Sequence, residues 1–228
     1  MKFIARVMAA TVASPRMLPF EIPPGTTLEK LVTDVVPAAH ARLVPQSAGR
    51  EPFTCAIELE GGGAWIVTLD GPKMTVRAGE EKAPDVRIRA RAEDAQAFLD
   101  DYMGEKRFAP KTHRASAGSG NAVMLSDPRV LKRLKMVNGA IELAIVDFTD
   151  GASAPRRAFL AAAIGGPAKK IEPDADVTVE VTMETFLRLA AGGATPEEAL
   201  ADGDVPVKGK RLVAMQMAFA LAPLFPSR

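Results

Sequence analysis

Apolar and polar residues alternate along four short segments in the first half of the chain. FTCAIELEGG, AWIVTLDG, KMTVRAGEE and DVRIRARA are rich in β-branched residues, and glycine-containing or acidic turns separate them. A period of two puts successive side chains on opposite faces of a strand, so each segment has one apolar face. The pattern predicts a meander of antiparallel strands between residues 53 and 92.

The segment DVRIRARA carries three arginines on one face. Arg87, Arg89 and Arg91 point away from the side that holds valine, isoleucine and alanine. We favour a solvated face of the sheet, and an anion-binding strip is the alternative.

Helical spacing marks three further segments of the first half. In TTLEKLVTDVVPAAHARLV, Thr26 and Glu29 have capping-box spacing, and Pro37 is expected to kink or end the helix. EDAQAFLDDYMG predicts a short amphipathic helix. SDPRVLKRLKMV starts with an N-cap residue and a proline, which is typical of a helix start.

The second half repeats this mixture of strands and helices. AIELAIVDF, RRAFLAAAIGG, DVTVEVT and VPVKG predict strands, and METFLRLAAGG predicts a helix that stops at its glycines. TPEEALADG predicts a second helix, with Thr195 as N-cap, Pro196 at the first position and Glu198 closing a capping box. KRLVAMQMAFALAPLF closes the chain as a helix whose only polar residue after Arg211 is Gln216.

The two halves also resemble each other in sequence. Residues 84–99 and 175–190 align without a gap at an offset of 91, so that Asp85 matches Asp176 and a strand passes into a helix at the same place. We therefore expect two related α+β units that could pack as one pseudo-dimer. The expected division is an extended arm at 1–25, a first unit at 26–136 and a second unit at 137–228.

Charge and cysteine content narrow the class of protein. The chain has 29 basic and 28 acidic residues, so its net charge predicts binding to neither nucleic acid nor an anionic membrane. Its single cysteine excludes an intrachain disulfide and fits a cytoplasmic location. We expect no transmembrane span, since no apolar run reaches the roughly 18–20 residues that one needs. Arg6 interrupts the apolar start, which argues against a signal peptide.

Candidate catalytic chemistry is sparse. His40 and His113 are the only histidines, and neither has metal-ligand spacing around it, so we expect no metal and no cofactor. Cys55 lies within a predicted strand and is expected to act as a small apolar residue. The carboxylates that fall in turn-like segments are expected to be solvated: Asp147, Asp150, Asp202 and Asp204. A lone acid or Tyr102 in an apolar pocket could still serve an enzyme, so catalysis stays open.

The stretch DADVTVEVTMETFLRLAAGGATPEEALADGDVPVKGKRLVAMQMAF (174–219) resembles the sterol carrier protein 2 family. The resemblance lies in an Asp-Val-Thr strand, a helix with Phe-Leu-x-Leu, a "Pro-x-x-Ala" helix, a Val-x-Gly strand and an apolar final helix. The first half resembles the family more weakly and lacks the "Pro-x-x-Ala … Val-x-Gly" step. The resemblance implies an α+β fold of mostly antiparallel sheet covered by helices around an apolar tunnel.

By this resemblance the chain is a lipid carrier that holds a sterol, fatty acid, acyl-CoA or isoprenoid, with at most peripheral membrane contact. Flexible methionines suit such a tunnel. The expected lining comes from the last two long helices: Met183, Phe186, Leu187, Leu189, Leu212, Met215, Met217, Phe219, Leu221, Leu224 and Phe225. These residues could also be plain core. Two alternatives remain: a cyclase- or isomerase-type enzyme in the same pocket, and a scaffold without a cavity.

Overall fold

The computed structural model describes residues 22–43, 52–100, 128–149, 154–164, 175–190 and 194–221, and its eight strands form a single mixed sheet in the order β3-β2-β1-β4-β6-β5-β7-β8. The strands are β1 (Phe53–Glu60), β2 (Ala64–Asp70), β3 (Lys73–Ala78), β4 (Val86–Arg91), β5 (Gly139–Phe148), β6 (Arg156–Ile164), β7 (Val177–Val181) and β8 (Val207–Gly209). Each coincides with a predicted strand, and the protein is α+β as expected. The arm expected at 1–25 lies mostly outside the described residues.

The helices pack on this sheet and at its edges. Helix α1 runs over 28–43 in three parts, Leu28–Lys30, a π-helical turn at Leu31–Val35, and Val36–Leu43. The others are α2 (Ala92–Phe98), α3 (Pro128–Leu134), α4 (Met183–Ala190), α5 (Pro196–Ala201) and α6 (Arg211–Leu221). The capping box predicted at Thr195 and Glu198 is present, with the Thr195 backbone N–H donating to Glu198 Oε2 at 2.8 Å.

The structure corrects one detail of the prediction for α1 and decides a second. Its N-cap is Thr27, whose hydroxyl accepts from the Lys30 backbone N–H at 3.3 Å, rather than Thr26. Pro37 does not end the helix. Proline has no backbone N–H to donate, and its ring crowds the preceding turn of a helix. The π-helical turn at Leu31–Val35 changes the hydrogen-bond pattern in that preceding turn, and the helix continues to Leu43.

The expected antiparallel meander is correct for β1 to β3 and wrong for β4. Strand β4 pairs parallel to β1, with Cys55 opposite Val86, after residues 79–85 carry the chain across the sheet. Alternation specifies which side of a strand is buried, and it is silent about the neighbour and its direction. The second half repeats this pairing pattern: β5 pairs antiparallel with β6 and parallel with β7.

Two equivalent aspartates form hydrogen bonds across the two parallel strand pairs, β1–β4 and β5–β7. The Thr54 backbone N–H donates to Asp85 Oδ2 at 2.8 Å, and the Ala140 backbone N–H donates to Asp176 Oδ2 at 2.8 Å. Each aspartate directly precedes the second strand of its parallel pair. The two halves then join where β4 pairs antiparallel with β6.

The two largest apolar cores hold helices on one face of the sheet, and a smaller cluster packs α6 on β7. The α3–α6 core consists of Phe53, Val86, Val130, Leu131, Leu134, Val137, Ile164, Met217 and Ala220. The α4–α5 core consists of Ile145, Phe148, Ala158, Val181, Met183, Ala199 and Val205. Helix α2 reaches the second core through Ala97 and Phe98, which are partly buried against it.

Candidate functional site

Two rows of apolar side chains cross the middle of the sheet between these cores. Paired residues share a face, so the register defines both rows. The first row is Ile57, Ile88, Ala162 and Ile141, and the second is Leu59, Ala90, Leu160 and Leu143. We call these eight residues the apolar band. Its members are only partly buried, and Leu160 is 42% exposed.

The apolar band is continuous with both cores. Val86 and Ile164 of the α3–α6 core lie one row before it, and Ala158 and Ile145 of the α4–α5 core lie one row after it. Large apolar side chains on the helix-bearing face of a sheet are normally covered. The apolar band is therefore less completely covered than the two cores beside it.

The residues predicted to line a tunnel fall into three groups. Those of α4 border the band from one end: Met183 is buried in the α4–α5 core, and Phe186, Leu187 and Leu189 are partly buried against it. The Phe186 ring also meets Phe98 of α2 edge to face. The structure thus brings these four side chains to the core that contacts Leu143 of the band.

Helix α6 separates its predicted lining residues onto two sides. Met217 is 9% exposed and lies in the α3–α6 core, against which Ile88 and Ile141 of the band pack. Three others lie on the opposite side of the helix and are exposed: Leu212 by 66%, Met215 by 64% and Phe219 by 59%. The Leu221 side chain, Leu224 and Phe225 lie outside the described residues.

Sequence reasoning missed the strand residues of the band. The signal was present in the alternation of DVRIRARA, which puts Ile88 and Ala90 on the apolar side. Alternation alone gives no reason to separate a covered apolar position from an exposed one, because that depends on where the helices lie.

The opposite face of the sheet carries ion pairs between neighbouring strands. Glu58 on β1 forms ion pairs with Arg87 and with Arg89, whose Nη2 lies 3.2 Å from Glu58 Oε2. Arg87 Nη2 also donates to the Glu81 carbonyl at 2.7 Å. Hydrogen bonds from Arg157 and Lys208 lower the pKa of the Glu180 carboxyl on β7. Glu58 thus supplies the anion that Arg87 and Arg89 contact.

The ionisable groups near the band are held in structural roles. Burial raises the pKa of the Cys55 thiol to about 12, which keeps it protonated at neutral pH. Asp94 is buried and forms an ion pair with Arg156. Asp147 lies in β5, not in a solvated turn, and its Oδ1 accepts the Met183 backbone N–H at 2.6 Å at the start of α4. Asp204 pairs with Arg188, and Asp150 lies outside the described residues.

Across the described segments, no three His, Cys, Asp or Glu side chains are grouped so that they could hold a metal ion. No helix in the same segments is long and apolar enough to cross a bilayer.

Comparison with solved structures finds sterol carrier proteins. A sterol carrier protein domain 2 of Helicoverpa armigera has 18% identity and a TM-score of 0.34, covering 46% of this chain and 80% of that one. Sterol carrier protein 2 of Yarrowia lipolytica has 19% identity and a TM-score of 0.29, covering 45% and 84%. Palmitated SCP2L2 of Aedes aegypti has 20% identity and a TM-score of 0.27, covering 41% and 91%.

Comparison with protein families places a similarity in the second part of the chain. No curated protein sequence matches the chain. Residues 121–222 match the SCP-2 sterol transfer family, and this segment is less than half of the 228-residue chain. It includes α3, β5 to β8 and α4 to α6, so it contributes Ile141, Leu143, Leu160 and Ala162 to the apolar band. The similarity to the SCP-2 sterol transfer family is therefore confined to residues 121–222, in the second part of the chain.

Proposed function

We propose that this protein binds a hydrophobic small molecule, of the sterol, fatty acid, acyl-CoA or isoprenoid kind, on the apolar band. The observation that carries the proposal is the partial exposure of Leu160 within two unbroken apolar rows. An apolar ligand that covered these rows would gain about 25 cal/mol for each Å² of apolar surface removed from water. The family match at residues 121–222 supports the same class of ligand.

The proposed binding set draws on both halves of the chain. Ile57, Leu59 and Ile88 come from the first half, and Leu143 and Leu160 come from the second. Met217 borders the set through the α3–α6 core, and Met183, Phe186, Leu187 and Leu189 border it through the α4–α5 core. We place Leu212, Met215 and Phe219 outside the set, because they lie on the exposed side of α6.

We further propose that residues 26–136 are a diverged copy of the unit at 137–228. In support, each half has one strand with an antiparallel and a parallel partner, and Asp85 and Asp176 make equivalent hydrogen bonds. Among the described residues, the first half has no strand equivalent to β8 beside β4, and β6 occupies that position. The two units would then share one ligand site on the apolar band, where two independent units would each have a site of their own.

The test is ligand uptake by the full chain. Native mass spectrometry of freshly purified protein is expected to show a hydrophobic adduct, and organic extraction would identify its class. Leu160→Asp puts a charge in the middle of the band at an exposed position, so the fold should survive. Because a carboxylate against an apolar ligand loses its hydration, we expect at least a roughly tenfold loss of fluorescent fatty acid or sterol binding.

The matched control is Thr75→Asp, which introduces the same charge at an exposed position on the opposite face of the sheet. It should leave uptake unchanged. Absence of any adduct, together with no uptake of either probe, would contradict the proposal and favour a scaffold. The enzyme alternative gains nothing from Asp94, because that buried acid is already paired with Arg156.

A further inference from the structure

One buried acid beside the apolar band has a carboxylate oxygen without a hydrogen-bond partner. Asp94 lies in the first turn of α2 and is 4% exposed. Its Oδ1 forms the ion pair with Arg156 Nη1. Its Oδ2 is buried, and no donor among the described residues forms a hydrogen bond with it. Such an oxygen costs free energy, because it has lost its hydration and has no other donor in exchange.

The Asp94–Arg156 pair lies at the α2 end of the apolar band. Ala90 and Leu160 are opposite each other in the second row of the band. Asp94 follows Ala90 by four residues, across the junction of β4 and α2. Arg156 precedes Leu160 by four residues on β6, so it lies on the same face, about 13 Å away along the strand. A lipid that is longer than this distance would reach from the exposed Leu160 to the pair.

Arg156 connects this buried acid to the surface of the protein. The Arg156 side chain is 31% exposed, although its guanidinium lies 5.1 Å from the centroid of the buried Phe148 ring. A guanidinium carries several N–H donors, and the ion pair with Asp94 uses one of them. A polar group that reached the pair would therefore meet both N–H donors of Arg156 and the unpaired acceptor of Asp94.

The chemistry of these two side chains distinguishes between the polar groups that lipids carry. A hydroxyl group both accepts and donates, so it can accept from Arg156 and donate to Asp94 Oδ2 at the same time. An ether oxygen accepts but has no proton to donate, which leaves Oδ2 unpaired. A carboxylate can accept from Arg156, but it also has no proton for Oδ2, and it carries the same charge as Asp94. Of these three groups, the hydroxyl alone satisfies both side chains.

We propose that Asp94 and Arg156 form the polar end of the lipid site and select a lipid that carries a hydroxyl group over a fatty acid anion. The ligand hydroxyl donates to Asp94 Oδ2 and accepts from Arg156, while the apolar body of the ligand covers the apolar band. This inference rests on the proposed lipid-binding function. It narrows the ligand to lipids that carry a hydroxyl group, such as sterols and isoprenoid alcohols.

The experiment compares ligands that share a carbon skeleton and differ in the polar group. Farnesol, farnesyl methyl ether and farnesoic acid are titrated into the full chain at neutral pH. The fluorescence of the single tryptophan, Trp65, reports binding, because Trp65 is paired with Ile57 of the apolar band. We expect farnesol to bind at least roughly tenfold more tightly than the ether and than the ionised acid. Cholesterol and cholesteryl methyl ether repeat the comparison, and show whether the site holds a sterol or an isoprenoid alcohol.

Two matched variants test the role of the aspartate. Asp94→Asn keeps the size of the side chain, and with its oxygen on Arg156 it presents an N–H group in place of Oδ2. We expect it to bind farnesol at least roughly tenfold more weakly and farnesoic acid at least roughly tenfold more tightly than the parent protein, which reverses the preference. Asp204→Asn removes the same charge from the exposed ion pair with Arg188 and should change neither affinity. If Asp94→Asn does not fold, the ligand series on the parent protein still decides the proposal.

The outcomes separate this inference from the function on which it rests. If no ligand of either series binds, the lipid-binding function itself is wrong. If the alcohols and their ethers bind equally well, or if farnesoic acid binds best to the parent protein, lipid binding stands and the selection of a hydroxyl group is wrong. A preference for the hydroxyl that persists unchanged in folded Asp94→Asn would also overturn the proposal, because another residue would then hold the polar end of the ligand.

Discussion

The rings of Phe98 and Phe186 meet edge to face, with centroids 5.6 Å apart and planes at 80°. Phe98 ends α2, which follows β4 in the first half, and Phe186 lies in α4, which follows β7 in the second half. Both pack against the α4–α5 core. Together with the pairing of β4 and β6, this contact makes the two halves share one sheet and one set of packed helices.

The ring contact should appear as an energetic coupling between the halves. Edge-to-face aromatic pairs contribute about 0.5–1.5 kcal/mol beyond the area that they bury. A double-mutant cycle with Phe98→Ala and Phe186→Ala, followed by urea unfolding, should give a coupling energy in that range. Phe98→Ala with Phe219→Ala is the control pair, and its effects should add because Phe219 is exposed on α6. Strict additivity of the first pair would contradict the contact.

Adjacent methionines on α6 should respond differently to charge. Met217→Arg puts a guanidinium into the α3–α6 core without an anionic partner, and we expect a loss of about 3–5 kcal/mol in the free energy of unfolding. Met215→Arg changes an exposed position of the same helix and should cost less than about 1 kcal/mol. Thermal or urea unfolding measures both. Equal losses of stability in the two variants would mean that α6 does not bury the side that carries Met217.

Two glycines with positive φ differ in the space available for a side chain, so alanine substitutions can separate the cost of a steric clash from that of the backbone conformation. Gly209 has φ +97°, and a Cβ there would lie 2.5 Å from the Asp176 carbonyl oxygen. Gly203 has φ +75° and nothing within 4 Å of its Cβ position. Gly203→Ala should therefore lower the free energy of unfolding by about 1–2 kcal/mol, which is the cost of holding alanine in the left-handed conformation. Gly209→Ala should lower it clearly more, because a steric clash is added. Urea unfolding of both variants decides this, and a larger effect at Gly203 would contradict the packing.

The single cysteine gives a probe of the fold that depends on pH. The ordinary pKa of its thiol is 9.0, and burial raises it to about 12, so native Cys55 keeps its proton. The stability linked to the protonated thiol is fully present below pH 9.0 and is lost as the pH rises towards 12. Because the thiolate is the nucleophile, iodoacetamide at about pH 8 should modify unfolded protein readily and native protein hardly at all.

Mass spectrometry of the alkylated protein with and without urea measures that difference. No second cysteine complicates the result. Rapid modification of the native protein would show that β1 is open at this position.

Local sequence determined most of the secondary structure of this protein. The alternation in DVRIRARA and its neighbours predicted β1 to β4, and all eight predicted strands are present. Caps did the same for α5, where Thr195 and Glu198 bind each other's backbone N–H groups. These signals are reliable because they depend on residues within one or two turns, or on a period of two, and not on distant neighbours.

Contacts between distant residues decided what the local pattern left open. Alternation could not choose β1 rather than β3 as the neighbour of β4, and apolar composition could not tell which side of α6 is buried. Met217 and Met215 are two residues apart with the same side chain, yet one lies in a core and the other in water. That difference, and the partial exposure of Leu160 between two covered cores, follow only from which surfaces the tertiary structure brings together.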